Sequence, residues 1–482
     1  MPPTALLIGP PDALARLERQ LDLLAERPIT IGWVVTGDPD DVIAAPVVGH
    51  VRELEALVAR RRPTLALISM PAVMSDLVRS LRTRLRRLQV PDRFMPTLED
   101  QLAGIGPRAE IDIDLASLLD RSARVADPAS VRSVVANRRV LITGAGGSIG
   151  SELARIVADH GPEHLLLMDR SENALFEIDR QIARRQPDVE RLPVLHDVVD
   201  AAGTLRHCEN HRPHLIIHAA AHKHVPMMER HPAAAVDNNV FGTMAIADAA
   251  DAVGAERFVM ISTDKAVNPA SMMGATKRLA ELYVQELNQR SATACSMVRF
   301  GNVLGSTGSV MEIWRRQVAD GGPVTVTDPR MQRYFMTIPE AAALVLEAAA
   351  LVDPAAPGGE VFLLDMGDPV AIIDMARRFV RQLGLEPRLP GEGDAAADAG
   401  VMRIVFSGTR PGEKLAEELA FDVECMQPTR HPEINVWQVP TPPRGFGRRL
   451  RETLGPGRRS ADPAAVITAV RQLVPEMIRP AA

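Results

Sequence analysis

A hydroxyl, a carboxylate and an amine stand side by side at Thr263-Asp264-Lys265, after the apolar run Arg257-Phe258-Val259-Met260 and Ile261-Ser262. A strand ending in this way sets proton donors and acceptors at the rim of a sheet, where open α/β sheets bind their ligands. Alone, such a triplet reads as loop charges solvating a strand end. Its neighbours change that weighing. Met273 and Lys277 stand four apart on one face of the following helix, and a glycine-rich loop begins upstream at Thr143.

That loop, Thr143-Gly144-Ala145-Gly146-Gly147-Ser148-Ile149-Gly150, lies between the apolar run Arg139-Val140-Leu141-Ile142 and a segment of helical spacing. In this setting the glycines permit close backbone approach and the helix N-terminus faces a pyrophosphate. Asp169 closes the next strand, His164 to Met168, about 20 residues past the loop, where a carboxylate accepts the hydroxyls of an adenosine ribose. It would repel a 2′-phosphate, so NAD is favoured over NADP. Arg170, beside it, is the residue that would instead accommodate NADP. Asp197, with Val198 next to it, sits where the following strand ends, either to meet the adenine or to cap a helix.

Ala219, Ala220 and Ala221 are small enough for backbone to pack against a flat cofactor, and Lys223, with His224 beside it, can reach an anionic substrate group. His218, His222 and His224 alternate in a tight loop, a spacing that does not bring three imidazoles onto one centre, so no metal is expected. Asn239 is expected to steady the strand ends through its amide.

The elements that must hold these residues form an α/β chain with two doubly wound Rossmann-like parallel sheets, the second carrying a small C-terminal substrate-binding lobe. With 482 residues the chain exceeds one ordinary core. Residues 1–125 are expected to form a Rossmann-like domain, with strands at Ala5 to Gly9, Ile29 to Val35 and Leu65 to Ser69. Helices run from Leu14 through Leu24 and from Val51 to Arg60. The turn Gly9-Pro10-Pro11 lacks the backbone donors a phosphate needs, which favours a regulatory or assembly role. Ile111 to Leu115 alternates like an edge strand near the boundary. Residues 126–435 are expected to be catalytic, and 436–482 a C-terminal extension with a helix near Pro463 to Leu473.

A net charge of −6 leaves no basic excess to cover nucleic-acid phosphates. The three cysteines show no paired spacing, and no apolar run reaches the length of about 18 residues that a membrane span requires. The expectation is a cytoplasmic protein.

Thr143–Gly150, His218–Pro226, Ser262–Lys265 and Arg299-Phe300-Gly301-Asn302-Val303-Leu304-Gly305-Ser306 together resemble the extended short-chain dehydrogenase/reductases. Arg333–Glu340 and Arg410-Pro411-Gly412-Glu413-Lys414-Leu415 agree, and within that superfamily the chain is most similar to UDP-N-acetylglucosamine 4,6-dehydratases of bacterial polysaccharide biosynthesis. The resemblance implies NAD, a UDP-sugar substrate and a homo-oligomer. It also implies oxidation at C4 of the hexose, loss of water across C5–C6 and hydride return to C6. Related hexose dehydratases carry Thr-Asp-Glu, so Asp264 is assigned as the acid and Lys265 as the base. Lys265 must then lose its proton through burial, through nearby Lys277, or both. Met273 replaces the superfamily's tyrosine and cannot act as a base; packing alone would also account for it. Thr263 and Asp264 are left to take the 4-hydroxyl proton, and Lys277 to hold the nicotinamide ribose. Arg299, Arg333 and Arg410, with Asn302 and Glu413, are expected at the nucleotide end.

Long members of the family carry membrane helices ahead of the first nucleotide-like domain, whereas Met1 stands directly before it. The expectation is a protein without an integral span, or a chain trimmed of one. The alternatives are a 4-epimerase or dehydrogenase on the same sugar nucleotide, which would want tyrosine at 273, and a non-catalytic NAD-sensing scaffold.

Overall fold

Ala5, Leu6, Leu7 and Ile8 are completely buried in the strand Thr4–Gly9 (β1). Leu6 and Ile8 enter one apolar cluster and Ala5 and Leu7 another, as a parallel strand covered on both faces requires. Around β1 lie Ile29–Val35 (β2), Val47–His50 (β3), Leu65–Ile68 (β4) and Asp92–Phe94 (β5), in the all-parallel order β3-β2-β1-β4-β5. The computed structural model describes residues 3–23, 27–36, 47–71, 74–95, 97, 118–119, 127–355, 358–392, 400–419, 421, 426–437, 442–460 and 462–477. β3, β5 and the helix Ser75–Arg87 add to the elements expected from sequence. The expected strand at Ile111 to Leu115 lies outside the described residues.

The chain divides into two units, Met1–Ile113 and Asp114–Ala482. In the second, Arg139–Thr143 (β6), His164–Asp169 (β7), Arg191–Leu195 (β8), Leu215–His218 (β9), Arg257–Ile261 (β10) and Ala294–Arg299 (β11) build the sheet. Short strands follow at Asn302–Leu304 (β12), Val324–Val326 (β13), Gln332–Arg333 (β14) and Phe335–Thr337 (β15). Glu360–Leu364 (β16), Val370–Ala371 (β17), Glu386–Arg388 (β18), Val401–Phe406 (β19), Met426–Pro428 (β20) and Ile434–Trp437 (β21) complete the set. The main sheet runs β20-β21-β16-β11-β10-β9-β6-β7-β8. It is parallel from β8 to β16, and β21 and β20 close that edge antiparallel. The order reverses between β6 and β9, which opens a ligand crevice beyond their carboxyl ends.

The lobe packs β13, β19 and β18 into a small parallel sheet. Beside it Trp314 and Phe379, from the helices Val310–Ala319 and Ile372–Gln382, meet with ring centroids 5.4 Å apart. Beyond 436 the chain stays with this unit: β21 spans that position, and the helices Phe446–Leu454 and Pro463–Leu473 join the main core. Phe446, Leu450, Val466 and Val470 share one cluster with Phe258, Met260 and Tyr283. Among the described residues no helix is long and apolar enough to cross a membrane.

Candidate functional site

The loop from β6 to the helix Ser148–Asp159 is shaped by close backbone approach. Gly144 has φ +65°, and a Cβ there would lie 2.7 Å from the amide nitrogen of Ala220. A Cβ on Gly146 would meet Ala174 Cβ at 2.5 Å, and one on Gly150 would meet the Gly144 carbonyl oxygen at 2.0 Å. Gly147 is the N-cap and offers no side chain to the helix's first amides, which leaves them to an anion. Ser148 Oγ accepts from the Thr307 amide at 3.0 Å, tying this loop to the one after β12, and Ile149 packs partly buried against the second core cluster. Thr143 is buried. Its hydroxyl donates to His218 Nδ1 at 2.8 Å, while His218 Nε2 donates to Thr243 Oγ1 at 3.0 Å. The tautomer follows because Thr243 spends its own proton on the Asn239 carbonyl. Burial first, then the charge of Lys277, hold His218 down at about 3, so it is a neutral core histidine.

Beside the loop lies a pocket of about 160 Å³ lined by Gly144, Gly147, Met168, Asp169, Arg170, His196, Val198, Ala219, Ala220, Ala221, His222 and Asn238. Asp169 accepts from the Gly146 amide and the Ser171 amide, each at 2.9 Å. It thereby braces the glycine loop while facing the pocket, the position a ribose-binding carboxylate needs. Arg170 donates to His222 Nε2 at 2.5 Å and lies 3.8 Å from Asp197. Asp197 Oδ1 accepts from the Val199 amide at 3.1 Å. Asn239, in a π-helical turn, accepts from the His222 amide at 2.8 Å and donates to the His222 carbonyl at 3.0 Å and Thr276 Oγ1 at 3.1 Å. These residues fit a dinucleotide: small side chains, a braced carboxylate and unpaired helix amides. Among the described residues no group of histidines, cysteines and carboxylates could hold a metal.

At the end of β10 the chain keeps its pairing with β11, as Ser262 N donates to Val298 O at 2.7 Å and Asp264 N to Phe300 O at 3.1 Å. Asp264 Oδ1 accepts from Thr263 Oγ1 and from Lys265 Nζ, each at 2.9 Å. Asp264 Oδ2 is buried and makes no hydrogen bond. Lys265 Nζ also donates to Asn302 Oδ1 at 3.0 Å. A Cβ on Gly274 would lie 2.1 Å from the Lys265 carbonyl, so glycine there lets the helix Met272–Asn288 press against the turn that presents the lysine. From sequence, burial and Lys277 were to act on Lys265. The structure instead sets Asp264 beside it and Glu417 Oε1 at 3.9 Å. Burial lowers the Lys277 amine to about 8, against the opposing charge of Glu281. Met273 is buried with Met228 and Ala235.

The cations expected at the nucleotide end separate. Arg299 is 1% exposed and donates to Glu281 at 2.7 and 2.5 Å, with its guanidinium 4.7 Å from the Trp437 ring centre. It is enclosed in the core, a correction to its expected place on a phosphate. Arg333 is also buried, donating to the carbonyls of Lys414 at 2.6 Å and Leu415 at 3.0 Å. It anchors the chain that follows Arg410. Arg410 itself is exposed and paired with Glu413 at 2.7 Å. Burial lowers Lys223 against the charge of Glu312, and burial then Lys223 lower His224. His224 packs under Gly308, whose Cβ would lie 2.7 Å from its ring. Glu417 is a site carboxylate that the sequence did not disclose: one of two adjacent glutamates, seven residues past Arg410, it carries no local signature.

A family model described as polysaccharide biosynthesis protein matches residues 140–439. The capsular polysaccharide biosynthesis protein CapD of Staphylococcus aureus is 42% identical over 77% of this chain and 60% of its own length. The probable polysaccharide biosynthesis protein EpsC of Bacillus subtilis is 37% identical over 90% of this chain and 71% of its own. The chain thus spans about three fifths of CapD. A UDP-N-acetylglucosamine 4,6-dehydratase (inverting) of Campylobacter jejuni is 31% identical over 47% of this chain and 66% of its own length. Pen from Bacillus thuringiensis, a solved structure 28% identical, superposes with a TM-score of 0.55 over 64% of this chain and 89% of its own. With its glycine loop, doubly wound sheet and small C-terminal lobe, the chain belongs to the polysaccharide biosynthesis protein family, on the fold of the extended short-chain dehydrogenase/reductases.

Proposed function

We propose that the chain is a nucleotide-sugar 4,6-dehydratase that converts UDP-N-acetylglucosamine to UDP-2-acetamido-2,6-dideoxy-hexos-4-ulose, using NAD without consuming it. The observation that carries this reading is the ion pair of buried Asp264 with part-buried Lys265 at the sheet rim, with Asp264 Oδ2 unpartnered. A buried carboxyl oxygen without a partner calls for an explanation, and a proton delivered to substrate from that atom supplies one.

NAD, when bound, supplies the hydride acceptor for C4 and the same hydride for C6. Asp264, with Thr263 bonded to it, takes the proton of the 4-hydroxyl. Lys265, as the free amine, takes the C5 proton. Asp264 then protonates the departing 6-hydroxyl as water, and Lys265 returns its proton to C5 as hydride reaches C6. The two residues end as they began. Lys277 holds the nicotinamide ribose, and Asp169 the adenosine ribose. Arg410, Glu413, Lys223, His224 and Asn302 serve the nucleotide and sugar.

A 4-epimerase shares this frame, and a UDP-glucose 4-epimerase of Rickettsia rickettsii is 28% identical over 60% of the chain. Met273 weighs against that use, since a thioether cannot remove a hydroxyl proton. Incubation with UDP-N-acetylglucosamine and catalytic NAD, read by mass spectrometry, decides: loss of one water supports the dehydratase, whereas inversion at C4 without mass change, or no turnover despite NAD binding, overturns it.

A further inference from the structure

Glu417 is 9% exposed, and its Oε1 lies 3.9 Å from Lys265 Nζ and 3.7 Å from Arg333 Nε. The segment that carries it is fastened to the catalytic turn. Lys414 Nζ donates to the Val267 carbonyl at 3.2 Å, and Asn268 Nδ2 donates to Glu418 at 2.6 Å. Arg333 holds the carbonyls of Lys414 and Leu415 from the other side. Glu417 is therefore a placed carboxylate, not a solvated loop charge.

The dehydratase cycle requires Lys265 as an amine, yet its Nζ sits between Asp264, Asn302 and Glu417 in the geometry of an ammonium. Asp264 has no capacity for that proton, because it must receive the one from the 4-hydroxyl. The remaining carboxylate is Glu417. We propose that Glu417 is the proton acceptor that converts Lys265 to its basic form, an assignment that rests on the dehydratase reading. One N–H bond of the ammonium breaks and one O–H bond forms on Oε1. Ammonium and carboxylate become amine and carboxylic acid, with no change in net charge and no further reactant. Nζ must close 3.9 Å to hydrogen-bond reach, a shift of about 1 Å at the end of a flexible side chain. The groups facing Glu417 are Lys265, Asp264, Arg333 and Lys414. Burial raises its carboxyl, Lys265 lowers it and Asp264 raises it, before the smaller lowering by Arg333 and Lys414. A buried carboxyl is the natural place to keep a proton.

The test compares E417Q and E417D with wild type, each loaded with NAD and given UDP-N-acetylglucosamine in deuterium oxide. E417Q is expected to lose about 100-fold in kcat for water release, with KM within about twofold. Exchange of the C5 hydrogen should slow in step. Because Lys265 must then discharge to solvent, the rate of E417Q should climb with pH across a range where wild type is flat, and E417D should recover both rate and profile. Equal loss in both variants with an unchanged pH profile and normal C5 exchange would mark a merely structural residue and overturn the assignment, as would wild-type rates in E417Q. Should E417Q not fold, E417A takes its place, with the same loss of rate, the same climb with pH and the same slowed C5 exchange expected, and the same outcomes overturning the assignment. Wild type that releases no water would sink the dehydratase reading itself, an outcome distinct from water-releasing wild type matched by E417Q.

Discussion

Replacing Arg299 with methionine separates two roles for that residue, core anchor or phosphate ligand. The substitution removes two charge-assisted bonds to Glu281 and the stacking of the guanidinium on Trp437, 4.7 Å from its ring centre. Glu281 remains completely buried, with Arg278 at 3.2 Å and Ser262 at 2.7 Å as its surviving partners. Burial alone would raise the Glu281 carboxyl, and Arg299 leads the group of contacts that hold it below its usual range. Removing one member of a buried pair costs about 3–5 kcal/mol, and Arg278 places this case near the lower bound. For a unit of this size each kcal/mol is worth about 2 °C, so the melting transition of the second unit should fall by about 6 °C. The double variant R299M/E281Q should recover most of that, because no uncompensated charge stays inside. Thermal and urea melts measure the stability, and kinetics well below the transition measure KM for the sugar nucleotide, which should stay within about twofold. Stability within about 1 kcal/mol of wild type together with a rise of about tenfold in KM would refute the reasoning and return Arg299 to the phosphate.

G150A pushes a Cβ to 2.0 Å from the Gly144 carbonyl, a backbone atom that cannot swing aside. NAD affinity by calorimetric titration should fall by about tenfold or more, and wild-type affinity would contradict the account. K277M removes a buried lysine whose folded value is about 8 against an ordinary 10.5. The lysine is protonated in both folded and unfolded chains below pH 8, where its burial penalty, about 3 kcal/mol from the size of the shift, is fully present. Between about pH 8 and 10.5 the unfolded chain binds the extra proton, so stability rises with pH as the penalty fades. The variant should therefore be the more stable one at neutral pH, with the gap closing across that window in urea melts. A gap that widens with pH would contradict the assignment.

The strand periodicities at β1, β2 and β4, the glycine loop and Asp169 were legible because their signals are local: a run of apolar residues, a turn that needs no Cβ, a fixed offset between them. β3, Val47-Val48-Gly49-His50, and β5, Asp92-Arg93-Phe94, contain no run of apolar residues like the four of β4, and so do not stand out. Arg299 and Arg333 look like ligand cations in their motifs. Burial decides otherwise, through Glu281 on a helix before β11 and through carbonyls 414 and 415 far down the chain. No local spacing encodes such pairings. Glu417 was missed for the same reason, since only the fold of the lobe brings it to Lys265. The helices near Pro463 and from Met272 onward were both legible from their spacing, whereas their packing into one cluster was not.

The most direct measurement of the central claim is the product mass formed from UDP-N-acetylglucosamine by D264N and K265M, alongside titration of NAD and UDP into each. Asp264 and Lys265 as acid and base predict that neither variant releases water while both bind the nucleotides as wild type does. Full conversion to the dehydrated sugar by either one would contradict it.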